Sequence, residues 1–265
     1  RALTHASDLD LILLFTGDLM AQSDGPRPLG ASTYFNRLGQ RVVAALSVPT
    51  AAGRLYEVDT RLRPQGTQGP LVSSLDAFAR YQREEAWTWE HMALTRARPV
   101  FGSSGARAHL QAIIDDVLAG PRDTTKLLAD IVAMRGQMAS HKPPKGPLDV
   151  KLCDGGLVDA EFAIHTMQLL HNTAFDACLD GALSRLVKAG HAPAAVIGAQ
   201  QLLARMLVTL RLMAPDGQTP QLEETRSRIA HACMPGSEPD WADLLSAYTD
   251  ARACIGAWWG HIRNG

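Results

Sequence analysis

Strand-type patterning in this chain is confined to its first 73 residues and one short stretch near residue 149; nearly everything else carries helical spacing. Such a distribution points to an α+β chain, a small mixed-sheet head leading into a mainly α-helical bundle. The first strand is "DLDLILLF", residues 8–15, followed by a polar loop rich in Pro and Gly. "STYFNRLGQRVVAALSV" then places Phe35, Leu38, Val42, Val43 and Leu46 on one helical stripe. "GRLYEVDTRLRPQG" predicts a second strand ended by Pro64 and Gly66, and "PLVSS" a short third one. Residues 73–98 predict one long helix, opened by a capping pattern at Ser73 and Asp76, with Leu75, Phe78, Ala79, Ala86, Trp89, Ala93 and Ala97 on its apolar stripe. "KPPKGP", residues 142–147, is the best linker, and "LDVKLC" predicts a short extended piece before a Gly-Gly turn and another helix. These boundaries divide the chain into a head over 1–103 and a helical domain over 104–265.

Composition limits the function classes. With 46% hydrophobic residues in 265, there is enough apolar material for a sizeable core. Lys plus Arg is 26 against 27 Asp plus Glu, a net charge of -1, which leaves no electrostatic footprint for nucleic acid or an anionic membrane. No apolar run approaches the roughly 20 residues of a membrane-spanning helix, and no signal peptide is visible. Cys153, Cys178, Cys233 and Cys254 form no C-x-x-C pair, so they read as reduced, mostly buried thiols of a cytoplasmic protein. The chain opens at Arg1 and enters its first strand almost at once, as a piece of a longer polypeptide would.

The first strand poses a chemical problem. Asp8 and Asp10 alternate with leucines, so both carboxylates leave the same face, with Cα atoms about 6.8 Å apart. Two such groups repel unless a cation lies between them, and Mg²⁺ takes hard oxygen ligands, commonly one or two carboxylates plus substrate phosphates. In "LYEVDTRLRP" the same alternation predicts Glu57, Asp59, Arg61 and Arg63 on one face. Asp59 would complete a three-carboxylate site, and Arg61 or Arg63 could clamp phosphate oxygens. The competing reading for the two arginines is simple salt bridging to nearby acids.

These residues resemble a known family. "SDLDLILLF" is similar to the acidic strand of the DNA polymerase beta-like nucleotidyltransferases. "LYEVDTRLRPQGTQGPLVSSLDAFARYQREEAWTWEHMALTRARPVFG", with "DVKLCDGGLVDAEF" as a second block, resembles the bifunctional glutamine synthetase adenylyltransferase/adenylyl-removing enzyme family. The wording is similar to that of the C-terminal, AMP-attaching half. The resemblance implies a nucleotidyltransferase head, Mg²⁺ as cofactor and ATP as substrate. It implies Asp8, Asp10 and Asp59 as catalytic metal ligands, with Ser7, Arg61, Arg63 and Lys151 as contacts to the nucleotide. Glutamine synthetase would be the protein substrate, and the PII signalling protein and glutamine would regulate the full-length enzyme. Two departures stand out: the glycine-rich segment expected before the acidic strand is not in this chain, and Met92 stands where the family wording has glutamine.

Other residues admit plainer roles. Asp159 and Glu161 fall in the first turn of a helix, where carboxylates favour the helix N-terminus, or they contact nucleotide. Lys151 is a phosphate contact or half of a structural ion pair. Trp89 reads as core and Trp87 as a contact to another helix or to the protein substrate. His91, His165 and His171 lack metal-ligand spacing, and Trp258 and Trp259 read as closing the bundle. The alternatives to AMP attachment are the adenylyl-removing unit, another protein nucleotidyltransferase such as a uridylyltransferase, or a non-catalytic regulatory module of the same fold.

Overall fold

The computed structural model describes residues 7–54 and 56–264, apart from the side chain of Arg54. Residues 4–6 of the stretch leading into the first strand, and Leu55 in the expected second strand, lie outside the described residues. Contacts divide the chain into two compact units that part between Gly120 and Pro121, so the helix over 104–119 counts with the head.

The head opens with β1 (Leu9–Asp10) and β2 (Leu13–Phe15), continues through α1 (Ala31–Ser47), and adds β3 (Pro49–Thr50), β4 (Gly53–Arg54), β5 (Val58–Asp59) and β6 (Val72–Ser74). Strand β1 pairs in parallel with β5, β2 in parallel with β6, and β3 with β4 forms an antiparallel turn. Phe15, Ala31 and Val72 form a buried cluster, with Leu13, Phe35 and Leu71 against it. Phe15 stacks on Phe35 at 4.5 Å between ring centroids. Helix α1 lies close on β6, since a Cβ on Gly39 would collide with Val72. Its Asn36 carboxamide also receives the Val72 N–H at 3.1 Å, standing in for a neighbouring strand. Leu38 and Val42 are 45% and 40% exposed, so the predicted apolar stripe of α1 is only partly core.

Two predicted elements are divided or shortened. The second strand stops at Asp59 rather than running to Arg63. The Asp59 carboxylate bends the chain by accepting the Arg61 N–H at 2.8 Å, an Asx-type turn that competes with strand pairing. The long helix after β6 is two helices, α2 (Leu75–Glu84) and α3 (Thr88–Leu94). Ser74 rather than Ser73 caps α2, accepting the Ala77 N–H at 3.2 Å. At the break, the buried Glu90 carboxylate accepts the Trp87 N–H at 2.9 Å and the Tyr81 hydroxyl at 3.0 Å. The break turns Trp87 and Trp89 outward, 70% and 39% exposed, so Trp89 is not the core residue its spacing predicts. Helix α4 (Ser104–Ala119) buries Ile113, Ile114, Val117 and Leu118 and packs on α2 and α3.

The second unit contains α5 (Thr124–His141), α6 (Leu157–His171), α7 (Leu179–Lys188), α8 (Ala195–Met213), α9 (Glu223–Cys233) and α10 (Trp241–Asn264). Helix α6 is buried on nearly all sides, as a helix apolar all round must be, and α10 packs against α8, α6 and α9. Trp258 and Trp259 are buried there, with Trp259 edge-on to Phe162. By length and composition α8 could cross a membrane, although it holds no unbroken apolar run of that length; here Val196, Leu203 and Met206 are fully buried in the bundle. The predicted extended piece near 149 is a turn instead. Its organiser is Asp149, whose carboxylate accepts the N–H groups of Lys145, Lys151 and Leu152 at 3.1, 3.2 and 3.1 Å. All four cysteines are free; Cys153 and Cys233 are buried, Cys254 is half-buried and Cys178 exposed.

Candidate active site

Strand register gathers the acidic residues. In the β1–β5 pair Leu9 faces Val58 and Asp10 faces Asp59. Backbone bonds of 2.8 Å from Leu9 N–H to the Glu57 carbonyl and from Leu11 N–H to the Asp59 carbonyl fix that register. Partners in a parallel pair project from one face, and Asp8, which precedes β1, adds its charge to those acting on Arg61. Backbone pairing thus brings the carboxylates of Asp10 and Asp59 to one edge of the head.

Arginines surround them. Both Asp59 oxygens are engaged by Arg61: Nε lies 3.0 Å from Oδ1 and 2.8 Å from Oδ2, and Nη2 makes a close ion pair with Oδ2. The Asp59 carboxyl is 17% exposed while the guanidinium is 73% exposed, so Arg61 roofs a half-buried acid. The hydrogen bond from Arg61 holds the Asp59 pKa below the ordinary carboxylate range, against the opposing effect of burial. Arg61 in turn is held charged first by Asp59, with smaller contributions from Asp10 and Asp8. Asp10 is met from another direction by Arg96, which follows α3, at 3.9 Å. Arg63 turns inward, donating to the Thr60 carbonyl at 2.8 Å and hydroxyl at 3.1 Å, and it braces the turn that presents Arg61.

The chemistry of this donor set suits a hard divalent cation: paired carboxylates with arginines beside them can receive metal and phosphate together. In this arrangement no three His, Cys, Asp or Glu side chains among the described residues close to metal-ligand spacing, and the Asp59 oxygens face Arg61. Ser7, half-buried, directly precedes Asp8 in the chain. Lys151 belongs to the second unit, within the turn organised by Asp149. Arg96 is the residue that spacing misses. Nothing in "LTRARP" distinguishes it from a solvated charge until the chain folds it toward β1.

In the second block Asp159 is buried and paired rather than a lone helix-end charge. It forms a buried pair with Arg135 of α5, Nε to Oδ1 at 2.6 Å, and its other oxygen accepts the Gly155 N–H at 2.6 Å. Gly155 has φ of 71° and abuts the Arg252 carbonyl so closely that a Cβ would collide with it. His165 is a core residue, 2.9 Å from Gln168.

Residues 1–113 match the family model described as glutamate-ammonia ligase adenylyltransferase. The bifunctional glutamine synthetase adenylyltransferase/adenylyl-removing enzyme of Brucella suis is 42% identical over 98% of this chain and 28% of its own length. The protein of the same description from Mesorhizobium japonicum is 38% identical over 94% of the chain and 25% of its own. That of Rhizobium meliloti is 50% identical over 63% of the chain and 17% of its own. The matches therefore cover 17% to 28% of the length of these relatives. Over that span, the chain belongs to the glutamate-ammonia ligase adenylyltransferase family.

Proposed function

We propose that this chain is the AMP-attaching nucleotidyltransferase unit of a glutamine synthetase adenylyltransferase, with a polymerase beta-like head. The observation that carries the reading is the register that pairs Asp10 with Asp59 on parallel strands, with Asp8 directly before the first of them.

In the proposed reaction a tyrosine hydroxyl of glutamine synthetase attacks the α-phosphorus of ATP. An oxygen–phosphorus bond forms, the bond to the bridging oxygen of the β-phosphate breaks, and pyrophosphate leaves with its electrons. Tyrosine has an ordinary pKa of about 10, so its proton must go to a base as attack proceeds. Asp59 is proposed to accept it, as the carboxylate paired in register with Asp10 at the β1–β5 edge. Asp8 and Asp10 would hold Mg²⁺ together with Asp59. When bound, Mg²⁺ supplies charge neutralisation on the triphosphate and polarisation of the attacking hydroxyl. Arg61 and Arg96 are proposed to take phosphate oxygens, and Ser7, just before β1, to reach them as well. Arg63 holds the turn. In the longer protein, the PII signalling protein and glutamine are proposed as regulators, on the resemblance alone.

The test is to incubate the protein with α-labelled ATP, Mg²⁺ and unmodified glutamine synthetase, and to map the label. The reading expects label on a tyrosine with matching pyrophosphate release. It fails if glutamine synthetase stays unlabelled, or if the protein instead uses phosphate to strip AMP from adenylylated glutamine synthetase.

A further inference from the structure

Asp59 and Asp10 each face a guanidinium. Arg61 occupies both oxygens of Asp59, and Arg96 stands 3.9 Å from Asp10. We propose that Arg61 and Arg96 are built-in counter-ions that hold these carboxylates in the empty head and are handed to the triphosphate when it arrives, so that the site takes divalent cation and nucleotide together and resists the cation alone. The inference rests on the metal-site reading above and concerns how that site is loaded.

Charge and geometry both support it. Guanidinium does not deprotonate in proteins, so a dication entering by itself would sit beside two fixed positive groups and would have to displace at least one of them. A triphosphate provides acceptor oxygens for those same groups, and Arg suits phosphate as well as carboxylate because its planar donor fork matches both. The Arg61 side chain is 73% exposed and its hydrogen bonds go to Asp59, so little besides that carboxylate holds it in place. The turn does not depend on that side chain: the backbone N–H of Arg61 makes its own bond to Asp59 at 2.8 Å, and Arg63 ties the loop to Thr60. Arg96 is likewise partly exposed, at 30%.

The test is a Mn²⁺ titration without nucleotide, following free Mn²⁺ by electron paramagnetic resonance, on the wild type and on Arg61→Gln, Arg61→Lys, Arg96→Gln and Asp59→Asn. Removing one guanidinium should tighten Mn²⁺ binding by about three- to tenfold, the scale of an exposed ion pair plus one nearby like charge. Arg61→Lys, which keeps the charge, should stay near wild type. In the same proteins, metal-free binding of a non-hydrolysable ATP analogue should weaken in Arg61→Gln. The proposal is overturned if Arg61→Gln binds Mn²⁺ no more tightly than wild type, or if Arg61→Lys behaves like Arg61→Gln. Unchanged Mn²⁺ affinity in Asp59→Asn would instead overturn the metal-site reading beneath it.

Discussion

Asp10 of β1 and Asp59 of β5 are register partners on adjacent parallel strands, and each is met by an arginine from a different part of the head: Arg61 from the turn after β5, Arg96 from the segment after α3. The carboxylates are brought together by backbone pairing, and the arginines are brought to them by the turn and the helix end. Chemistry and scaffold can therefore be perturbed separately.

Asp10→Asn and Asp59→Asn should lower AMP transfer by about 10²–10³ or more, the usual cost of losing a group that acts on the transition state. Their ion pairs are partly exposed, and each substitution should change stability by less than about 1 kcal/mol. Thermal melts beside the transfer assay separate the two effects. Full activity in either variant would remove that residue from the site.

In the helical unit the expectation reverses. Arg135→Ala leaves the buried Asp159 carboxylate without its guanidinium, and unfolding in urea should show a loss of about 3–5 kcal/mol. Replacing both partners with apolar residues of similar volume should cost less than the single change, because no unpaired charge stays buried. A loss under about 1 kcal/mol for Arg135→Ala would mean that the pair is solvated.

Glu90 closes the break between α2 and α3. Glu90→Ala would remove the acceptor shared by the Trp87 N–H and the Tyr81 hydroxyl, at a cost of about 1–3 kcal/mol in a chemical denaturation curve. Burial raises the Glu90 pKa above its ordinary 4.5, so the folded state holds this proton more tightly than the unfolded chain does. The stability it contributes is complete below 4.5 and is lost as pH climbs through the raised value. Glu90→Gln should remove that dependence, visible as a flatter stability profile across the acid range.

His171 and His191 stack at 3.7 Å between ring centroids, with 12° between ring planes. Burial first, and then the neighbouring imidazole, lower the His171 pKa from 6.5. The unfolded chain thus takes up the proton more readily, so this contribution is present above 6.5 and is lost as pH falls through the lowered value. The melting temperature should drop on acidification through that window, and His191→Gln should lessen the drop. An unchanged slope in that variant would contradict the stacking account.

What the sequence could reveal depended on how local each cause is. The acid-bearing strand, the short strand at Val72–Ser74 and the bundle helices follow from periodicity, because alternation and helical stripes are written in neighbouring residues. Beyond Asp59 the same alternation misleads: Arg61 two residues on could continue a strand or close a turn on the aspartate, and the side-chain hydrogen bond decides for the turn. The helix break at Glu85–Trp87 depends on Glu90 finding Tyr81 as well as Trp87, a tertiary clasp. Arg96 beside Asp10 and Arg135 beside Asp159 are farther still from anything spacing can show, since each pair joins separate elements.

The central claim is that Asp8, Asp10 and Asp59 form a cation and triphosphate site at the β1–β5 edge. Anomalous diffraction from crystals soaked with Mn²⁺ and a non-hydrolysable ATP analogue tests it most directly. The account predicts an anomalous peak within about 2–2.5 Å of carboxylate oxygens from both Asp10 and Asp59, with Arg61 moved from Asp59 to the phosphates. A nucleotide bound elsewhere, or manganese bound with Asp59 still paired to Arg61, would contradict it.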